Sequence, residues 1–245
     1  MSDEYDRIPR FSKSVIDARV QGLIDWFSTQ ALDRPAPTPL ATICDRIQEK
    51  GWLDFDFNAD LGTSARGNKI YGAFDARAKK IYVDKSLDPN GPQFTFTLAH
   101  ELGHFVLHRG LRLNYAALDE PANALTATRR SIYFARQSEF VTDRDWLEWH
   151  ANCFAISLLL PRISFDRTVR VVQRSAGINR HLGFFYLSNS VDSLVTYRAC
   201  VDDLAEIYAV PRSLVTKRLT WLEMVIDTRK GLDHFSKLFS ESIPF

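Results

Sequence analysis

Cysteine is scarce in this chain: Cys44, Cys153 and Cys200 are the 3 present in 245 residues, and no two form a CxxC pair. An odd, scattered set of thiols excludes a disulfide-stapled secreted scaffold and leaves reduced, packed cysteines as the default. An excess of charge of one sign is missing too, since 31 Lys plus Arg stand against 30 Asp plus Glu, for a formal net charge of +1. That balance gives no whole-chain attraction toward nucleic acid or a membrane surface. No apolar run reaches the roughly 18 residues that a membrane span needs. The opening residues Met1 to Arg7 carry neither the basic start nor the apolar centre of a secretory signal, so a cytoplasmic protein is expected. Internal repeats and low-complexity tracts are absent as well. What is there is a 45% hydrophobic chain, enough for one sizeable core or one main domain with a small helical appendage.

Against that plain background, His100-Glu101-Leu102-Gly103-His104 fits the HExxH pattern. At about 100° per residue, positions four apart lie roughly 40° apart around a helix, so both imidazoles can reach one ion. Glu101 turns away from that direction, to where a general base beside an activated water must stand. The flanks support a helix over residues 94–110. Leu98, Leu102, Phe105 and Val106 follow the spacing of one apolar stripe, and Gly110 offers a C-terminal stop. His100 and His104 project from nearly the opposite side, so one face should enter a core and the other should line a cleft. The bland alternative is a core helix with two satisfied histidines, which would have to bury a Glu among apolar residues without a purpose.

Two imidazoles fall short of the three protein ligands usual in a catalytic zinc site. A second buried helix is expected over residues 148–161, ended by Pro161, with Glu148, Asn152, Ala155 and Leu159 on one face. A Glu among Trp146, Trp149, Phe154 and leucines needs a partner, and a cation serves. Asn152 would then hold a ligating histidine by its second ring nitrogen. His108, one turn past His104, reads either as a partner behind the ligands or as a surface residue. His150 points about 200° away from Glu148 on the same helix, which turns it from the metal. Glu139, Asp143 and Asp145 read as the solvated approach to the second helix, with Asp145 near its N-terminus.

The run FTFTLAHELGHF over residues 94–105, and Glu148-x-x-Ala151-Asn152-x-Phe154-Ala155-x-x-Leu158-Leu159-x-Pro161, resemble the two motifs of the ImmA/IrrE family of bacterial and phage metallopeptidases. The resemblance covers residues 40–165. It implies a zincin in which His100, His104 and Glu148 hold the metal and Glu101 is the catalytic base of peptide-bond hydrolysis. Zinc is the expected metal, and manganese is accepted by similar ligand sets. The resemblance also implies a regulatory role, the cutting of a helix-turn-helix repressor after DNA damage or another stress. Two features depart from the pattern. His150 stands where a second acidic residue is common, and the stretch between the motifs is longer than usual, an inserted segment placed to shape substrate entry. A weaker similarity over residues 204–219 matches the family's C-terminal helical pair.

Elsewhere, Val15, Ile16, Val20, Leu23, Ile24 and Phe27 set a helix over residues 13–30, and Pro35, Pro37 and Pro39 form a stiff connector. Residues 40–50 make another helix closed by Gly51, 52–57 alternate as a strand does, and 69–74 with 80–84 suit a hairpin. An exposed edge of such a sheet can take an extended peptide, or the sheet can merely cover the helices. An oxyanion donor is expected across the cleft, with Tyr186, His181 and Tyr197 as candidates by position alone. In residues 204–219, Arg212, Lys217 and Arg218 would meet phosphates in a DNA-binding helix-turn-helix. Two helices packed on the body share the same spacing, and three basic residues are too few to favour direct DNA binding.

The expected architecture is therefore α+β: a mainly helical, zincin-like metallopeptidase with a small antiparallel sheet and a C-terminal helical segment. It divides into an N-terminal helix with a proline-rich connector (1–39), a peptidase core (40–165) and a C-terminal helical region with a helix-turn-helix-like segment (166–245). The expected function is zinc-dependent cleavage of a protein substrate, with no membrane involved. The alternative is a non-catalytic regulator or toxin–antitoxin component that binds a protein partner or DNA.

Overall fold

The structure, a computed structural model, describes residues 5–27, 35–64, 67–114, 118, 124–128 and 142–230. The chain divides into two compact units, residues 1–34 with 38–161, and residues 35–37 with 162–245. The fold class is α+β.

In the first unit, α1 (Lys13–Phe27) buries Ile16, Val20, Ile24 and Phe27, the spacing of a single helical stripe. Residues 28–30 of the expected helix lie outside the described residues. Next, α2 (Leu40–Glu49) is followed by β1 (Asp54–Ala59), β2 (Ile70–Asp75) and β3 (Lys80–Asp84). The motif helices are α3 (Pro92–His108) and α4 (Asp143–Leu159), with β4 (Ala124–Thr128) between them in sequence. Gly91 caps α3 and Pro92 takes its first turn, where a missing N–H costs nothing. The helix stops at His108. Arg109 is right-handed and Gly110 has no left-handed conformation, so the glycine is not the stop its position suggested. A capping box between Thr142 and Asp145 starts α4, whose first turn holds Asp143 and Asp145 as the charge pattern anticipated.

The sheet runs in the order β1-β3-β2-β4. The hairpin of β2 and β3 is antiparallel, with Gly72 opposite Val83 and Phe74 opposite Ile81. The expectation of a purely antiparallel sheet is corrected, because β1 runs parallel to β3. The cause is topological: β3 returns between β1 and β2, so it opposes its hairpin partner and follows β1. β4, which the sequence did not reveal, pairs antiparallel with β2 and forms the other edge. Asp84 anchors the loop before β2, accepting from Lys69 Nζ at 2.7 Å, Leu61 N at 2.9 Å and Ser86 Oγ at 2.6 Å. Despite its burial, these donors hold its carboxyl below the usual carboxylate range.

The sheet lies on one side of α3, with Phe74 edge-on to Phe105 at 6.0 Å, and α4 packs against α3 as well. Every residue from Phe96 to Phe105 is buried, His100 and His104 among them. On α4, Ser157 Oγ donates to Asp17 Oδ1 of α1 at 2.6 Å and ties the N-terminal helix to the motif helix. Leu113, Leu118, Leu125 and Leu147 form a cluster with Ile8 and Leu111 packed against it.

The second unit contains α5 (Arg162–Ser175), α6 (Val191–Tyr208) and α7 (Arg212–Trp221), with β5 (Phe185–Leu187) parallel to β6 (Val225–Asp227). Ala209 in a left-handed conformation ends α6, and Pro211 precedes α7, so the two helices turn tightly. All three cysteines of the chain are free and buried, and burial pushes the Cys44 thiol up to about 12 and the Cys200 thiol up to about 11. Among the described residues no helix is long and apolar enough to cross a membrane.

Candidate metal centre

Three side chains meet between α3 and α4. One ligand atom each from His100, His104 and Glu148 lies within 4.8 Å of the others. The Nε2 atoms of the two histidines are 3.1 Å apart, and each is 3.5 Å from a Glu148 carboxylate oxygen. The i, i+4 spacing on α3 sets the imidazoles side by side. The helix crossing supplies the carboxylate: a Cβ on Gly103 would lie 3.0 Å from Ala151 Cα and 3.0 Å from Phe154 Cβ, so glycine at 103 permits this close approach.

Burial acts on the cluster in two directions. It raises the Glu148 carboxyl, and the adjoining imidazoles of His100 and His104 outweigh that and hold the group below the usual carboxylate range. It also lowers His104 and His108 and takes His150 down to about 4, because a cation is penalised away from water. Near neutral pH, His104 is thus unprotonated and Glu148 ionised, the states in which such groups ligate metals.

Both Glu148 oxygens are buried and have no hydrogen-bond partner among the described residues. A carboxylate left in that condition costs several kcal/mol, and a divalent cation between the three ligand atoms relieves it. Bonds of about 2.1 Å at a tetrahedral angle separate ligand atoms by about 3.4 Å. The separations of 3.1, 3.5 and 3.5 Å agree with that figure. The residues present fit a metal ion.

Glu101, fully buried, lies against β2. A Cβ on Gly72 would fall 2.5 Å from Glu101 Oε1 and 2.6 Å from Thr97 Cγ2, so the missing side chain of Gly72 is the space that Glu101 occupies. Sequence reading passed over Gly72. The available signal was a glycine inside a strand, which marks close approach of another group. The two neighbours of β2 are β3 and β4, so the backbone beside Glu101 is already paired, and the open edges of the described sheet belong to β1 and β4.

Asn152 Oδ1 stands 3.0 Å from His100 Nδ1. His108 is buried, with its Nδ1 3.0 Å from His104 Nδ1, so it lies behind the ligands and not at the surface. His150 faces His108 at 3.4 Å, as its angle on the helix required. Glu139 lies outside the described residues. Tyr186, His181 and Tyr197 belong to the second unit, where the rings of His181 and Tyr186 meet at 5.4 Å. Of the basic residues on α7, Arg218 is fully buried with its guanidinium over Trp221, Arg212 pairs with Asp202, and burial lowers Lys217.

Residues 63–175 match the family model for the IrrE N-terminal-like domain, Peptidase_M78. The match runs from before β2 to the end of α5 and contains all of His100, Glu101, His104, Glu148 and Asn152. No curated protein matches the chain.

Proposed function

We propose that this chain, whose residues 63–175 match the family model for the IrrE N-terminal-like domain, Peptidase_M78, is a zinc-dependent endopeptidase that cleaves a regulatory protein. The observation carrying this reading is the Glu148 carboxylate, buried without a hydrogen-bond partner among the described residues and held 3.5 Å from two histidine nitrogens. His100, His104 and Glu148 would hold the ion, and two nitrogens with one carboxylate oxygen suit zinc, with manganese the next choice. When bound, zinc supplies a Lewis acid that polarises a peptide carbonyl and acidifies water. Glu101 is the base: it takes a proton from the attacking water and returns it to the leaving amine. Gly72 gives that carboxylate its place, and Asn152 orients His100 by accepting from Nδ1.

The substrate we favour is a helix-turn-helix repressor cut in a stress or phage response in the cytoplasm, a reading that rests on family resemblance. Co-expression with a repressor encoded beside this chain, with new N-termini read by mass spectrometry, tests it. The parent should generate zinc-dependent termini that Glu101→Gln does not. Equal yields from both would overturn Glu101 as the base, and none from either would favour a non-catalytic regulator.

A further inference from the structure

The second unit holds a cavity of about 420 Å³, lined by residues of α5, of the loop before β5 and of the turn between α7 and β6. Small-molecule sites run from about 300 to 1,000 Å³, with apolar walls and a few placed polar groups. This lining has both parts. Arg162, Asp166, Arg167 and Arg170 supply charge, and Phe184 and Met224 are among the apolar members.

The charged part is held in place. Arg170 donates from Nε and Nη2 to the two Asp166 oxygens at 3.0 and 3.1 Å, and from Nη1 to Leu182 O at 2.9 Å, so its guanidinium has a fixed plane. Gly183 makes room for it. A Cβ at that position would fall 2.9 Å from Arg170 Nη2, and the φ of +97° is one that glycine adopts without strain. Gln173, fully buried, holds the loop from both sides, accepting from Gly183 N at 2.7 Å and donating to Phe184 O at 3.0 Å. Met224 is tied to the same strand, because its carbonyl accepts from Phe185 N at 2.7 Å. The Phe184 side chain, by contrast, is exposed and available to a ligand.

Three arginines against one aspartate leave the lining with an excess of two positive charges. Arg162 makes no hydrogen bond or ion pair with the other described residues. A phosphate monoester, with a charge of about −1.5 to −2 near pH 7, matches that excess, whereas a single carboxylate answers half of it. The Phe184 ring adds a face on which a base can stack. We propose that this cavity binds a mononucleotide, with its phosphate on Arg162 and Arg170 and its base against Phe184 and Met224. The proposal is independent of the metal reading above. A nucleic-acid strand fits less well, because these arginines line one cavity of small-ligand size.

Calorimetric titration of the full chain tests it, with AMP, GMP, CMP and UMP, their nucleosides, inorganic phosphate and an oligonucleotide without terminal phosphates as probes. At least one mononucleotide should bind, about tenfold or more tighter than phosphate or its own nucleoside. Arg162→Gln, which breaks no bond of the described fold, should weaken that nucleotide about tenfold. Phe184→Ala should bring it toward the affinity of phosphate and leave phosphate itself unchanged. Arg174→Gln, on the same helix but outside the lining, should alter nothing. No nucleotide binding, phosphate binding as tight as any nucleotide, an affinity unmoved by Arg162→Gln and Phe184→Ala, or an equal loss in Arg174→Gln would overturn the proposal. Tighter and more salt-sensitive binding of the oligonucleotide would overturn it too, in favour of a nucleic-acid surface.

Discussion

Both units bury polar side chains, to opposite ends. In the second unit the Thr168 hydroxyl donates to Ser164 O at 2.8 Å and meets Tyr208 Oη at 2.9 Å. Gln173 uses both ends, donating to Phe184 O at 3.0 Å and accepting from Gly183 N at 2.7 Å. These groups are closed networks that stabilise packing. In the first unit, Glu148 brings two buried oxygens that find no hydrogen-bond donor among the described residues, beside imidazoles whose Nδ1 atoms are engaged. Burial of a polar group therefore says little by itself. A buried carboxylate whose surroundings leave room for a cation marks a site.

The largest effect should come from removing that carboxylate. Glu148→Gln should weaken zinc by more than the roughly 100-fold that loss of a partner behind a ligand costs, yet leave the metal-free fold intact because a buried charge disappears. Chelator competition with thermal melting reads both, and unaltered zinc affinity would erase the distinction between the units. Next in size, Gly72→Ala should push Glu101 aside and cut peptide cleavage about 100-fold at unchanged zinc affinity. Equal cleavage would show that the carboxylate has another place to work.

The acid response sharpens the comparison. His104, His108 and His150 lie below the ordinary histidine value of 6.5 when folded. Below about pH 6.5 the unfolded chain takes up protons that the folded one refuses, so stability falls with pH and is complete above that value. For His150, at about 4 in the fold, the loss at pH 5 is about 2 kcal/mol. Urea denaturation of the metal-free protein at neutral pH and at pH 5 should show it, and His150→Leu should flatten the slope. A slope unchanged in that variant would contradict the assignment. Smallest of all, Tyr208→Phe in the second unit should cost about 1 kcal/mol and leave zinc affinity alone. Any change in affinity would mean that the network is not merely structural.

The motif helices were legible because their chemistry depends on helical angle: His100 and His104 four apart, Glu148 and Asn152 four apart, and His150 turned away. The hairpin of β2 and β3 followed from alternation. β4 was not legible, since Ala124–Thr128 is a short run inside a long connection and its partner Gly72 has no side chain to announce the pairing. The mixed sheet depends on strand order, which alternation does not encode. Gly110 misled because helix ends are also set by packing, and His108, the last residue of α3, is buried 3.4 Å from His150 of α4.

The central claim is that His100, His104 and Glu148 share one divalent ion. X-ray absorption at the zinc edge on the loaded protein tests it most directly. The account predicts one zinc per chain, with two imidazoles and carboxylate or water oxygen in the first coordination sphere. Sulfur ligation, three or more imidazoles, or an ion without histidine scattering would contradict it.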